Sequence, residues 1–247
     1  MLPCKNFMRT NLTAKLFTIP SDSPISAPDL EKLGINASTR SKYVKSGKLL
    51  QLQRGVFSLS NASLNREKTI EFLQSELGEI HIGGRSALAL HKIVHNLPVN
   101  AQIHFWGTDK RKTIPDWFNK KYPSKYTSKS PFNDDFDFAI TNFDNTSIKV
   151  SSPERALFEV LDSVGTLYSV EEAKNLFDLI LSPRKKVLTK LIENCKRIKV
   201  LRLLGHWSKE LGIDYSDFLI STIKPYDSSK HLNVVLNDNT ILSLPPL

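Results

Sequence analysis

The side chains that could support catalysis lie in the middle of the chain. Asp135 and Asp137 precede the tripeptide Ser147-Ile148-Lys149. This order has a loose likeness to sites in which carboxylates hold Mg²⁺ and a lysine steadies the attacking water. Ser147 stands where a further carboxylate is needed, so the metal would lack a ligand. We therefore expect no catalytic activity, and a nucleic-acid-processing enzyme remains the alternative.

Histidines and cysteines do not form a convincing metal site. His91 and His95 are spaced i,i+4 on a predicted helix over 84–95, which could hold a metal, but no carboxylate or cysteine lies near them in the sequence. The two cysteines, Cys4 and Cys195, add no zinc-binding spacing. We predict no metal and no other cofactor. So few cysteines indicate a reducing cytoplasm, and no apolar run approaches the ~18 residues of a membrane span.

Positive charge is the strongest compositional signal. The 247 residues carry a formal net charge of +9, which favours a polyanionic partner. The charge is concentrated in residues 38–60, since no carboxylate occurs between Glu31 and Glu67. Core-type residues are interspersed there, so the segment is predicted to fold with one basic face.

The N-terminal pattern predicts a winged helix-turn-helix. A helix is expected over 8–19, a second begins with Ser26 as cap and ends at Gly34, and a third runs over about 38–46. Residues 49–60 alternate around Arg54-Gly55, which is typical of a β-hairpin. Helix, helix, turn, helix and hairpin is the element order of that fold.

The third helix is predicted to have one buried face and one basic face. Tyr43 and Val44 project to one side, and small hydroxyls and lysines project to the other, which suits the DNA major groove. Arg40 lies closer to the core-facing side. The predicted DNA-binding residues are Ser38, Arg40, Ser41, Lys42, Lys45, Lys48 and Arg54. The simpler alternative is a solvated basic face on a structural domain.

The remainder of the chain predicts a second, mixed domain. Residues 102–150 are β-rich, and several amphipathic helices and two short strands follow. The basic, aromatic stretch 107–132 is either a surface on which bases stack or a connection whose aromatics anchor it to the sheet. We therefore predict an α+β protein: a winged helix-turn-helix domain with connecting helices over 1–95, and a mixed α/β domain over 96–247.

Five segments resemble the AbiEi family, the antitoxins of bacterial type IV toxin–antitoxin systems. The similar segments are RSKYVKSGKLLQLQRGVFSLS, HIGGRSALALHKIVH, IPDWF, VSSPERALFEVLD and KKVLTKLIENCKRIKVLRLLGHWSKELG. They span almost the whole chain, and the order and spacing of SSPERAL and NCKRIKVLRLL are the most specific. The chain is accordingly identified as a member of this family.

The resemblance implies an autorepressor that is not an enzyme. A member of this family would bind inverted repeats in its own promoter, as a dimer on double-stranded DNA, and would counter a nucleotidyltransferase-like toxin. Its C-terminal domain would carry the antitoxin function, and we assign the surface to a predicted helical stripe, Lys199, Arg202 and Lys209, opposite Trp207. A scaffold that binds protein through the hairpin is a further alternative.

Overall fold

The structure, a computed structural model, divides into two compact units, Met1–Gly78 and Glu79–Leu247. It describes residues 15–94, 101–133, 136, 138–143 and 146–247. The predicted fold class is confirmed: a small helix-turn-helix unit with a hairpin precedes a mixed α/β unit.

The first unit contains helices against a three-stranded antiparallel sheet. Its elements are β1 (Ile25–Ser26), α1 (Ala27–Lys32), α2 (Ala37–Lys45), β2 (Leu49–Gln53), β3 (Val56–Leu59) and α3 (Arg66–Leu77). The strands are ordered β1-β3-β2, with Leu49 opposite Leu59 in the predicted hairpin. The helix predicted over 8–19 lies mostly outside the described residues.

Local sequence sets the ends of these elements. The Ser26 hydroxyl accepts from Asp29 N–H and caps α1, as predicted. Asn36 caps α2, because its side chain accepts from Thr39 N–H. Gly55 closes the hairpin at φ 83°, a conformation that glycine adopts without strain.

The core of the first unit fixes how α2 is rotated. Tyr43 is 6% exposed, and Val44 packs against the same cluster. The cluster consists of Ile19, Ile25, Leu30, Ile35, Tyr43, Leu49 and Phe57. The two predicted core residues of α2 therefore hold its opposite face outward.

The second unit contains a five-stranded mixed sheet, a set of helices and a separate hairpin. Its strands are β4 (Ile80–Ile82), β5 (Ile103–Gly107), β6 (Ser124–Thr127), β7 (Ile140–Asn142), β8 (Lys149–Ser151), β9 (Leu232–Val235) and β10 (Ile241–Leu244). Its helices are α4 (Gly84–Leu90), α5 (Asp116–Lys121), α6 (Pro153–Asp162), α7 (Val170–Asp178), α8 (Lys185–Glu193), α9 (Ile198–Glu210) and α10 (Ser216–Ile223). Within the described residues, no helix is long and apolar enough to cross a membrane.

Strand β4 lies at the centre of the large sheet, which has the order β6-β5-β4-β8-β7. It pairs antiparallel with β5 and parallel with β8. The compact second unit therefore begins at Glu79 and includes α4, whereas our predicted division fell between residues 95 and 96. Strand β4 has only three residues and lies between two helical segments, so it is too short to show the alternation that predicts a strand.

Of the five aromatic residues in the stretch 107–132, two are buried in the second unit and three are half-buried. Phe118 is fully buried and meets Phe105 edge to face, with ring centroids 5.9 Å apart. The Tyr126 hydroxyl donates to Asp109 O at 2.9 Å. These contacts favour the anchored connection over a base-stacking surface.

Candidate nucleic-acid interface

The outward face of α2 presents small hydroxyls beside lysines. Ser38, Ser41, Lys42 and Lys45 are all exposed. No acidic residue occurs in the first turn of α2. Within the described part of the chain, neither lysine has a carboxylate within salt-bridge distance. The face is therefore free to meet phosphates and base edges, and its small serines permit close approach.

The hairpin adds two further cations. Arg54 is exposed at the tip, next to Gly55. Lys48, at the start of the hairpin, is exposed and has its Nζ 5.7 Å from the centre of the Tyr43 ring. The tip is fixed to α1, since Ala27 N–H donates to Gly55 O at 2.7 Å. Arg54 therefore projects from a braced loop.

Arg40 differs from the other six predicted DNA-binding residues because its guanidinium is bonded inside the first unit. Its side chain is only 12% exposed. Nη1 lies 2.9 Å from Glu31 Oε1, 3.2 Å from Ile35 O and 3.3 Å from Ala27 O. This geometry ties α2 to α1. We assign Arg40 to positioning the helix rather than to contacting DNA.

The acidic residues of α1 are neutralised by their neighbours. Glu31 pairs with Arg40, and Asp29 with Lys32 at 2.7 Å. Bonds from the Lys32 ammonium and the Ser26 hydroxyl hold the pKa of Asp29 below its usual value. The helix before α2 thus adds little net negative charge near the basic face.

The predicted antitoxin stripe is wrong as an exposed stripe, because Arg202 is fully buried. Its Nε donates to Asp227 Oδ1 at 2.8 Å, and its other nitrogens donate to three backbone carbonyls, those of Ser228, Lys230 and Leu244. Burial alone would raise the pKa of Asp227, but bonds from Leu247 N–H and Arg202 outweigh it, so this pKa lies below its usual value. Arg202 therefore anchors the C-terminal segment.

The other two stripe residues also differ from each other. Lys199 Nζ donates to Asp162 O and Val164 O, each at 2.8 Å. Its burial lowers its pKa. Lys209 is exposed. Helical periodicity placed all three on one side of α9, but the following chain returns and covers part of that side.

A buried polar cluster in the second unit escaped the sequence reasoning. Glu159 is 1% exposed and lies 2.8 Å from His81 Nε2 and 3.2 Å from Arg155 Nε. It also accepts from Ser151 Oγ and Gly84 N–H. Burial raises the pKa of Glu159, but these donors outweigh it and the pKa is lowered. The only sequence signal was an Arg–Glu pair, i,i+4, within an apolar helix.

The residues considered for metal binding or catalysis are not assembled in the described structure. His91 Nε2 bonds to Ser151 O at 2.9 Å, while His95, Asp135 and Asp137 lie outside the described residues. Lys149 is exposed at the start of β8. No group of three metal-ligating side chains occurs among the residues described.

Comparison with models of known protein families shows to which family the chain belongs. Residues 100–235 match the family described as "Transcriptional regulator, AbiEi antitoxin, Type IV TA system", and residues 8–99 match its N-terminal domain. The chain belongs to the AbiEi family. The resemblance seen in the sequence is thus confirmed, and this AbiEi chain is a member of a family of antitoxin transcriptional regulators.

The fold of this AbiEi chain has a counterpart among solved structures. The RV2827C protein from Mycobacterium tuberculosis matches with a TM-score of 0.61 and 11% sequence identity. The match covers 92% of this chain and 84% of that one. At this identity the likeness concerns the fold alone. No curated protein matches the chain.

Proposed function

We propose that this AbiEi protein represses its own promoter by binding inverted repeats in double-stranded DNA. The carboxylate-free, exposed face of α2, with Lys42 and Lys45 opposite buried Tyr43, carries the proposal. A helix of this kind enters the major groove with its polar face toward the bases. Ser38 and Ser41 allow the backbone close to the bases. Lysines supply contacts to phosphates or guanine edges.

The hairpin makes the flanking contact. Arg54 reaches the minor groove or the DNA backbone, and Lys48 meets a phosphate beside α2. Two copies on an inverted repeat place their α2 helices one helical turn of DNA apart, about 34–36 Å, or a multiple of it. A dimer on DNA is therefore part of the proposal.

We further propose that the second unit supplies protection against a nucleotidyltransferase-like toxin. Support comes from the family, whose matching residues 100–235 fall within this unit. Lys209 remains a candidate for the protective surface because it is exposed. Lys199 and Arg202 act inside the unit, so they support protection only by maintaining its fold.

A promoter-reporter assay tests the repressor role. The chain is supplied in trans to its own upstream DNA fused to a reporter, either unchanged or as the Lys42→Ala/Lys45→Ala variant. We expect the double variant to relieve repression because each lost contact costs about 1–3 kcal/mol. Lys186→Ala, an exposed lysine of α8, is the matched control. Full repression by the double variant at equal protein level would refute the interface.

A further inference from the structure

A polar pocket in the second unit has no role in the proposed repression. Its volume is about 240 Å³, and it is lined by residues of β4, β5 and α6 together with Ser130, Asn133 and Phe136. Arg155, Glu159 and His81, three side chains of the buried cluster, form part of its wall. The space far exceeds what one water needs, about 30 Å³ in the liquid.

Two nearly buried residues with N–H donors line this pocket, Arg155 and Trp106. Arg155 is 3% exposed, with Nε on Glu159 and Nη1 on the carbonyls of Phe136 and Phe138, each at 2.8 Å. Among the described residues, the side-chain hydrogen bonds of Arg155 involve its Nε and Nη1, and none involves its Nη2 or Trp106 Nε1. Trp106 is 2% exposed, and it lies directly opposite His81 in the β4–β5 pair.

The inner wall carries one formal positive charge, on Arg155, and one formal negative charge, on Glu159. Glu159 already receives bonds from Arg155, His81, Ser151 and Gly84, so its carboxylate is saturated. The oxygens of Glu159 therefore leave no acceptor free on this wall, and a ligand there meets N–H groups. Arg155 is in addition held rigid by its two carbonyl contacts, so binding costs little side-chain ordering.

The outer wall adds hydroxyls and one carboxylate. Thr108, Ser130 and Asn133 line the pocket with groups that can donate or accept. Glu79 also lines it and is exposed, with its backbone at φ 38°, a strained conformation for a residue with a side chain. Glu79 repels a bare anion, and it can accept from a hydroxyl or amine attached to one.

We propose that this pocket binds a small oxyanion-bearing molecule, whose carboxylate or phosphate oxygens accept from Arg155 Nη2 and Trp106 Nε1. Guanidinium donors suit both oxyanions, because charge-assisted bonds to them are strong and directional. Shared chemistry leaves the choice between carboxylate and phosphate to experiment. All lining residues belong to the second unit, so the site does not depend on the proposed DNA contacts.

The full chain contains three tryptophans, which makes a direct test possible. The ¹⁵N-labelled protein shows one indole N–H resonance for each, and Trp106→Phe identifies the one from Trp106. Inorganic phosphate and acetate are titrated separately, with sodium chloride at matched ionic strength as reference. We expect the Trp106 resonance to move saturably with at least one oxyanion, and the better probe to identify the class.

Two variants separate binding from structure. Glu79→Gln removes an exposed negative charge that repels the anion. The concentration of phosphate or acetate at which the Trp106 resonance has moved halfway should therefore fall several-fold, with the fold retained. Arg155→Lys should raise half-saturation about tenfold or more where the protein remains folded. A Trp106 resonance that moves no further than with chloride would overturn the proposal. So would an unchanged half-saturation in Glu79→Gln.

Discussion

The Nε atom of Arg202 lies 2.8 Å from Oδ1 of Asp227, and both side chains are almost completely buried. Arg202 is on α9 and Asp227 follows α10, so this pair fastens the returning C-terminal segment to the helix. Three carbonyls complete the bonding of the guanidinium. The pair belongs to the interior, although the residue pattern of α9 suggests a surface.

Removing this guanidinium is expected to destabilise the second unit. Arg202→Met leaves Asp227 and three carbonyls without their donor, and breaking a buried pair typically costs about 3–5 kcal/mol. Lys209→Met, at an exposed position of the same helix, should change the free energy of unfolding by less than about 0.5 kcal/mol. Urea unfolding of both variants measures the difference. Equal stabilities would contradict the anchoring role.

The two units are expected to fold separately when divided after Gly78. A fragment of residues 79–247 retains β4 and all of the large sheet, and it should fold and protect cells from the partner toxin without repressing the promoter. A fragment of residues 96–247 loses β4, the central strand, together with α4. We expect that shorter fragment to be unfolded by circular dichroism. A folded, protective 96–247 fragment would show that β4 is dispensable.

Substitutions of Arg40 and Lys42 are expected to have different effects on stability and on DNA binding. Arg40→Met removes three bonds that tie α2 to α1, so it should lower the stability of the first unit by about 1–3 kcal/mol. The folded Arg40→Met variant should show the same salt dependence of promoter binding as the unchanged chain. Lys42→Ala should leave stability unchanged and reduce the salt slope by about one for each subunit bound, or about two for the dimer. The reverse pattern would exchange the two roles.

The stability of the second unit is expected to depend on His104 between about pH 4 and 6.5. Burial lowers the pKa of His104 from 6.5 to about 4, and nearby Lys125 and Arg85 act in the same direction. Between these two values His104 is protonated in the unfolded chain but neutral in the folded protein. The free energy of unfolding therefore falls as the pH falls. The full shift corresponds to roughly 3 kcal/mol.

His104→Gln is the variant that isolates this effect. Glutamine cannot titrate, so the loss of stability between about pH 6.5 and 4 should shrink, while the unfolding curve at pH 7.5 serves as reference. Glu154 overlaps this window only at its acid end, between about pH 4 and 4.5. Bonds from Arg184 outweigh its burial and hold its pKa at about 2, so its contribution is lost at lower pH, between its usual value of 4.5 and about 2. An unchanged pH profile would contradict the assignment to His104.

Local patterns predicted the first unit well. The cap at Ser26, the hairpin around Gly55 and the buried side of α2 at Tyr43 depend on neighbours within a few residues, and all three are confirmed. Such features follow from capping, turn chemistry and periodicity.

The features that the sequence did not predict depend on contacts between distant parts of the chain. His81 and Glu159 are 78 positions apart, and nothing in the sequence pairs them. Arg202 meets carbonyls 26 to 42 positions later, so its helical face alone could not reveal its burial. Arg40 was distinguishable in part, because its angle on the helix already placed it near the core. Burial of charge is set by tertiary structure, which periodicity does not encode.

The salt dependence of promoter binding tests the central proposal most directly. Binding constants of the full chain for its own upstream DNA are measured over a series of salt concentrations, alongside Lys42→Ala/Lys45→Ala and the control Lys186→Ala. Each neutralised phosphate contributes about −0.9 to the slope of log K against log salt, so we predict a steep slope for the unchanged chain and for the control. The double variant should bind more weakly and with a shallower slope. For each lysine that contacts a phosphate, a dimer loses two contacts, one in each half-site, and the slope falls by about two. A double variant with the slope and affinity of the unchanged chain would contradict DNA recognition by α2.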